Sequence, residues 1–144
     1  MHDEYPSVMH LAIYLPGEQP VYFHEGESSE DLHNRTQSAR LTLMEFFEYN
    51  SLNSDGRQYL YKDFPTYYTY NKPLRKWVPR KSGISIGRIY HCNPIIGGKD
   101  NLQLLLTVVR GAQSYESLLI FQGVIHFSFK AACIAYGLLE DDEE

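Results

Sequence analysis

Between Phe64 and Lys99 the chain contains no aspartate and no glutamate, although the whole sequence carries eighteen of them against thirteen Lys and Arg. That gap excludes a uniformly acidic surface and leaves room for a locally positive face. Cysteine is scarce as well, with only Cys92 and Cys133 present. Two distant cysteines make neither a disulfide framework nor a paired metal motif, which fits a reducing, intracellular location. Apolar runs such as Leu104 to Leu106 fall far short of a bilayer span. The opening residues, Met1 to Ser7, are polar and charged, without the apolar core of a secretory signal. The expectation is an intracellular protein with no membrane partner.

The usual catalytic patterns are missing. His2, His10, His24, His33, His91 and His126 include no pair at one- or four-residue gaps, so no two-histidine nuclease centre or zinc-protease helix is written here. His91-Cys92 could ligate a metal only with distant partners, and reads as a hydrogen-bonded pair. No nucleophile-elbow sequence occurs. Ile95-Ile-Gly-Gly-Lys-Asp100 has the ending of a phosphate loop but places Asn93 where the first glycine belongs and Asp100 where Ser or Thr belongs. It reads as a turn. The carboxylate runs Glu25 to Asp31 and Glu140 to Glu144 read as solvated faces. The expectation is a chain with no catalytic residues, no metal and no cofactor.

What the acid-free segment does contain is seven of the thirteen cations: Lys72, Arg75, Lys76, Arg80, Lys81, Arg88 and Lys99. Interleaved with them are Phe64, Tyr67, Tyr68, Tyr70, Trp77 and Tyr90. Positive heads among flat rings suit a single-stranded nucleic acid, whose phosphates and bases they meet in turn. The same pattern also suits a sheet whose rings pack a core while Lys and Arg decorate the solvent side. Both readings stand at this level. One observation separates them, namely whether Arg75, Lys76, Arg80 and Lys81 share a face with an exposed Trp77. With a net charge of -5 and a pI near 5.6, any nucleic-acid contact is local rather than global.

At 144 residues, 14% of them aromatic, the chain is expected to fold as one α+β domain. Val8 to Leu15 reads as a strand closed by Pro16-Gly17, and Val21-Tyr-Phe23 could pair back on it. His24 to Ser38 is polar loop or short helix. Leu41, Leu43, Met44, Phe46 and Phe47 recur at helical spacing, predicting a helix over Arg40 to Asn50. Thr66 to Asn71 and Arg75 to Pro79 read as strands joined at Asn71-Lys72-Pro73, with Ile84 to Tyr90 as a third. The acid-free segment thus predicts a small antiparallel sheet with basic hairpin tips. Asn101 to Val109 is a buried helix or a buried strand. Ser114 and Ser128 can cap short helices, the second stopping at Gly137. Residues 138 to 144 form an acidic, frayed tail.

Several phrases, taken in order, carry a resemblance: Leu11-Ala-Ile-Tyr-Leu-Pro-Gly-Glu-Gln19, Val21-Tyr-Phe23, Leu41-Thr-Leu43 with Phe46-Phe47, and Tyr59-Leu-Tyr-Lys-Asp-Phe-Pro65. They continue with Trp77-Val-Pro-Arg-Lys81, Ile86-Gly-Arg-Ile-Tyr90, Leu104-Leu-Leu-Thr-Val-Val109, Gly123-Val-Ile-His126, Phe129-Lys130 and Gly137 to Glu144. Across almost its whole length the chain resembles the segment of eukaryotic Helitron transposases between the replication-initiator nuclease and the Pif-family DNA helicase. Neither the nuclease's histidine and tyrosine signature nor the helicase's ATP site occurs here. The resemblance therefore implies a non-catalytic accessory domain that scaffolds nuclease and helicase and works beside single-stranded DNA in the nucleus. On that reading Lys72, Arg75, Lys76, Arg80, Lys81 and Arg88 hold phosphates, with Trp77 and Tyr68 or Tyr70 as stacking platforms. A rival reading is a protein-interaction module that docks on the helicase through the acidic tail and C-terminal helices, with no DNA contact. Two departures from the family pattern stand out: Asp100-Asn101 replaces a bulky aromatic pair, and the acidic residue and Arg expected near Ser117 and Leu119 are missing.

Overall fold

The stripe Leu43, Phe46, Phe47 and Asn50 repeats at three, four and seven residues, which puts one face of a helix inward. A computed structural model describes residues 7–16, 42–91 and 99–140. In it residues 42–52 form that helix, α1, with all four of these side chains buried and Met44 exposed on the opposite side. Leu41, Val21 to Phe23, His24 to Ser38, Cys92 and the acidic residues 141–144 lie outside the described residues.

The architecture is α+β. Strand β1 (Ser7–Ile13) comes first, then α1, and 3-10 turns at Ser54–Gln58 and Tyr61–Asp63. A single helical turn α2 (Phe64–Tyr67) leads into the hairpin β2 (Tyr68–Asn71) and β3 (Lys76–Pro79), followed by β4 (Ser85–His91). Helix α3 (Lys99–Leu106), a 3-10 turn at Glu116–Leu119, the short hairpin β5 (Ile120–Phe121) and β6 (Val124–Ile125), and α4 (Phe129–Ala135) complete the order. Pro65 occupies the first turn of α2, where a missing N–H costs nothing.

The expected hairpin forms, with Tyr70 opposite Trp77 in antiparallel register. The third strand of the acid-free segment does not join it. β4 pairs instead with β1, in parallel, from Ser7 opposite Ser85 to Ile13 opposite His91. Parallel strands need a long crossover, and the chain between them supplies α1 and the hairpin. The described strands thus form three two-stranded ladders, one parallel and two antiparallel.

Asn101 to Leu106 is helix rather than strand, with Leu102, Leu105 and Leu106 buried. Ser114 Oγ accepts the Ser117 N–H at 3.0 Å, but the segment it starts is a 3-10 turn. Ser128 Oγ caps α4 by accepting the Ala131 N–H at 3.0 Å. Gly137, at φ +80°, ends that helix, and the Leu138 N–H bonds back to the Cys133 carbonyl at 2.9 Å. Leu138 and Leu139 pack against the core, so the start of the expected frayed tail is held down.

The core is one cluster of apolar residues from β1, α1, α2, the β2–β3 hairpin, α3 and α4. Tyrosine and tryptophan side chains brace it by donating to backbone carbonyls. Tyr61 Oη donates to the Ala12 carbonyl at 3.0 Å, Tyr115 Oη to Tyr14 at 2.6 Å, and Tyr136 Oη to Ile120 at 3.0 Å. Much of the aromatic excess is thereby structural.

Candidate nucleic-acid interface

Successive side chains on a strand point to opposite faces. On the β2–β3 hairpin this puts Tyr68, Tyr70, Trp77 and Pro79 on one face and Thr69, Asn71, Lys76 and Val78 on the other. Adjacent in sequence, Lys76 and Trp77 therefore cannot share a face. The aromatic face turns inward, toward α1 and α2.

Trp77 is 1% exposed. Its indole Nε1 donates to the Thr42 carbonyl at 3.0 Å, and its ring meets Phe64 at 5.2 Å and Tyr70 at 5.3 Å in edge-on contacts. Tyr68 is buried too, stacked on Phe64 with ring centres 4.1 Å apart. Trp77 and Tyr68, two of the three expected stacking platforms, are core residues. A base needs an open ring face, and neither residue presents one.

Hydroxyl chemistry explains where these tyrosines are held. Tyr68 and Tyr49 both donate to Oδ2 of Asp55, at 2.5 and 2.8 Å. Those bonds, Tyr68's foremost, hold the Asp55 carboxyl below its ordinary value. Burial raises the Tyr68 hydroxyl, and the bond to Asp55 raises it further. Tyr70 is half-buried; burial pushes its hydroxyl up to about 12, with Glu45 adding to the effect and Arg75 opposing it. That hydroxyl oxygen is buried and has no hydrogen-bond partner among the described residues.

The cations divide into three groups. Lys72 and Arg75 stand exposed in the four-residue turn 72–75, with Lys76 exposed at the start of β3. Arg80 is half-buried and committed to structure: its N–H bonds to the Tyr67 carbonyl at 2.9 Å and its Nε to Pro65 at 3.1 Å. Lys81 is exposed in the bend beyond β3, and Arg88 is exposed on the β1–β4 ladder opposite His10. Six expected phosphate ligands therefore reduce to a compact group on the hairpin turn plus two separate exposed cations.

An acid-free stretch of sequence is not acid-free in space. A groove of about 600 Å³ beside β3 is lined by Lys76, Trp77 and Val78 on one side and by Glu45, Glu48 and Leu52 of α1 on the other. Burial raises the Glu45 carboxyl, Glu48 raises it further, and Lys76 pulls it back. Lys76 thus faces carboxylates that sequence distance concealed. Lys72 does not. It borders a second cleft, of about 440 Å³, whose polar lining includes Ser7, His10, Thr42, Tyr70 and Ser85.

Leu74, at the turn apex, carries neither a ring nor a charge and stands outside the basic-aromatic pattern. It is 60% exposed. An apolar residue inside the turn Asn71-Lys-Pro-Leu-Arg75 was the available signal. No group of three or more His, Cys, Asp or Glu among the described residues could hold a metal ion. No helix there is long and apolar enough to cross a membrane. No protein-family model and no curated protein matches this chain.

Proposed function

We propose that this chain is a non-catalytic accessory domain of a Helitron-type transposase and helicase, scaffolding its nuclease and helicase in the nucleus and holding single-stranded DNA by its phosphates. The ordered phrases from Leu11 to Glu144 support the family, and the hairpin supports the contact. The carrying observation is that Lys72 and Arg75 are exposed together in one turn, while the rings of the same hairpin point into the core. Contact of this kind is electrostatic and independent of sequence. It replaces the stacking expected of Trp77 with Tyr68 or Tyr70.

Titration of a labelled single strand at several salt concentrations tests the reading. Three phosphate contacts give a slope of log affinity against log salt of about -2, at roughly -0.7 per phosphate. A Lys72→Ala/Arg75→Ala/Lys76→Ala variant should lose most of the affinity and flatten that slope. A parent chain that binds no oligonucleotide at low salt would sink the reading.

A second reading is favoured by a different observation. Phe127 is 93% exposed and lines an apolar groove with Tyr115, Leu119 and Phe129, and Ile125 is 72% exposed. Large uncovered apolar groups of this kind suit a protein partner, as in a module that docks on the helicase without touching DNA. The same titration separates the two, because this module would not retard a single strand at all.

A further inference from the structure

The apex of the β2–β3 turn is apolar. Pro73 and Leu74 are both exposed between the cations Lys72 and Arg75. A lone exposed leucine is ordinary, but this one is rigidly mounted. Its own N–H is bound by Asn71 Oδ1 at 2.9 Å, and the Arg75 N–H closes on the Lys72 carbonyl at 3.2 Å. Proline fixes its own φ within the turn. At the foot of the hairpin, Trp77 is locked by Thr42, Phe64 and Tyr70. Apolar side chains inserted between bases work against stacking, and such wedges are commonly leucine or proline, with Lys and Arg nearby to hold the backbone.

We propose that Pro73 and Leu74 form a wedge that enters between bases where duplex DNA opens into single strands, with Lys72 and Arg75 on the flanking phosphates. This rests on the DNA reading above and narrows its substrate to the junction of paired and unpaired DNA. The chemistry of the turn selects that partner, since it offers exposed apolar surface and exposed positive charge together at one apex. At a junction the terminal base pair is stacked on one side only, so prying there costs less than splitting an interior step. The buried indole becomes the mount of the wedge, where the sequence suggested a base platform.

The full chain is titrated at low salt onto three labelled DNAs: a single strand, a blunt duplex, and a fork with 2-aminopurine at its last pair. The fork should bind about tenfold more tightly than the single strand, the scale of one base contact. Fluorescence of the 2-aminopurine should rise as that base unstacks. Leu74→Ala should abolish the rise and bring the fork down to single-strand affinity, leaving single-strand binding intact. Leu52→Ala, which trims a leucine 71% exposed on α1, should behave as the parent. If Leu74→Ala leaves fork affinity and fluorescence unchanged, or Leu52→Ala abolishes them equally, the wedge is overturned while phosphate binding stands. If none of the three DNAs binds, the wedge and the DNA reading fall together.

Discussion

The indole N–H of Trp77 donates to the carbonyl of Thr42 at 3.0 Å, tying the β2–β3 hairpin to α1. Those residues stand 35 apart in sequence, yet the bond decides what the acid-free segment can do. It turns the rings inward and leaves only the turn and the outer face for a ligand.

Trp77 is the sole tryptophan, so its fluorescence reports this geometry directly. Emission should lie at short wavelength, iodide should quench it weakly, and saturating oligonucleotide should leave it unchanged. Trp77→Phe should cost about 1 to 3 kcal/mol of stability, through altered packing and the lost donor to Thr42. Oligonucleotide affinity of the folded variant should stay at the parent level. Strong quenching by DNA would mean the ring is reachable after all.

The contrast between charge pattern and ring placement shows what the sequence could carry. Asn71-Lys72-Pro73 announced the hairpin turn, Ser128 and Gly137 marked both ends of α4, and the stripe on α1 gave its buried face; each of these signals is local. The pairing of Ser7 with Ser85, 78 residues apart, has no local signature, and an alternating strand sequence does not say which partner it takes. Nor does it say which of two alternating faces meets solvent. Lys76 and Trp77 were legible as opposite-facing once a strand was assigned, but Glu45 and Glu48 reach Lys76 only through tertiary packing.

Tyr68 and Asp55 predict a pH dependence. Because Asp55 has a lower carboxyl value folded than unfolded, its stabilisation is complete above the ordinary value of about 3.9 and lost as pH falls through the folded one. Tyr68→Phe removes the shorter of its two hydroxyl bonds and should cost about 1 to 2 kcal/mol near neutral pH, as for a hydrogen bond to a charged group. Urea unfolding at neutral pH and at about pH 2 should show the gap between parent and variant shrinking in acid. A gap of constant size would assign the loss to packing instead.

Gly111 and Gly123 separate conformation from contact. Both have positive φ, +62° and +82°, but a Cβ on Gly111 would lie 2.3 Å from Arg57 Cα, whereas one on Gly123 meets nothing within 4 Å. Gly123→Ala should therefore cost only the left-handed penalty, about 1 kcal/mol. Gly111→Ala should lose at least about 2 kcal/mol more, because two backbones must separate. Equal losses in thermal unfolding would show that the 53–60 segment yields freely.

Arg75 sets stability against binding in one residue. At φ 54° it occupies the left-handed region that a side chain disfavours, in a turn where its charge is exposed. Arg75→Gly relieves that penalty and, after the added freedom of the unfolded chain, should raise stability by about 0.5 to 1 kcal/mol. The same change removes a phosphate contact, so single-strand affinity should fall and the salt slope should shrink by about 0.7. Opposite signs in the two measurements are the mark of a strained residue retained for a ligand. An unchanged salt slope would take Arg75 off the DNA and leave its strain without a binding role.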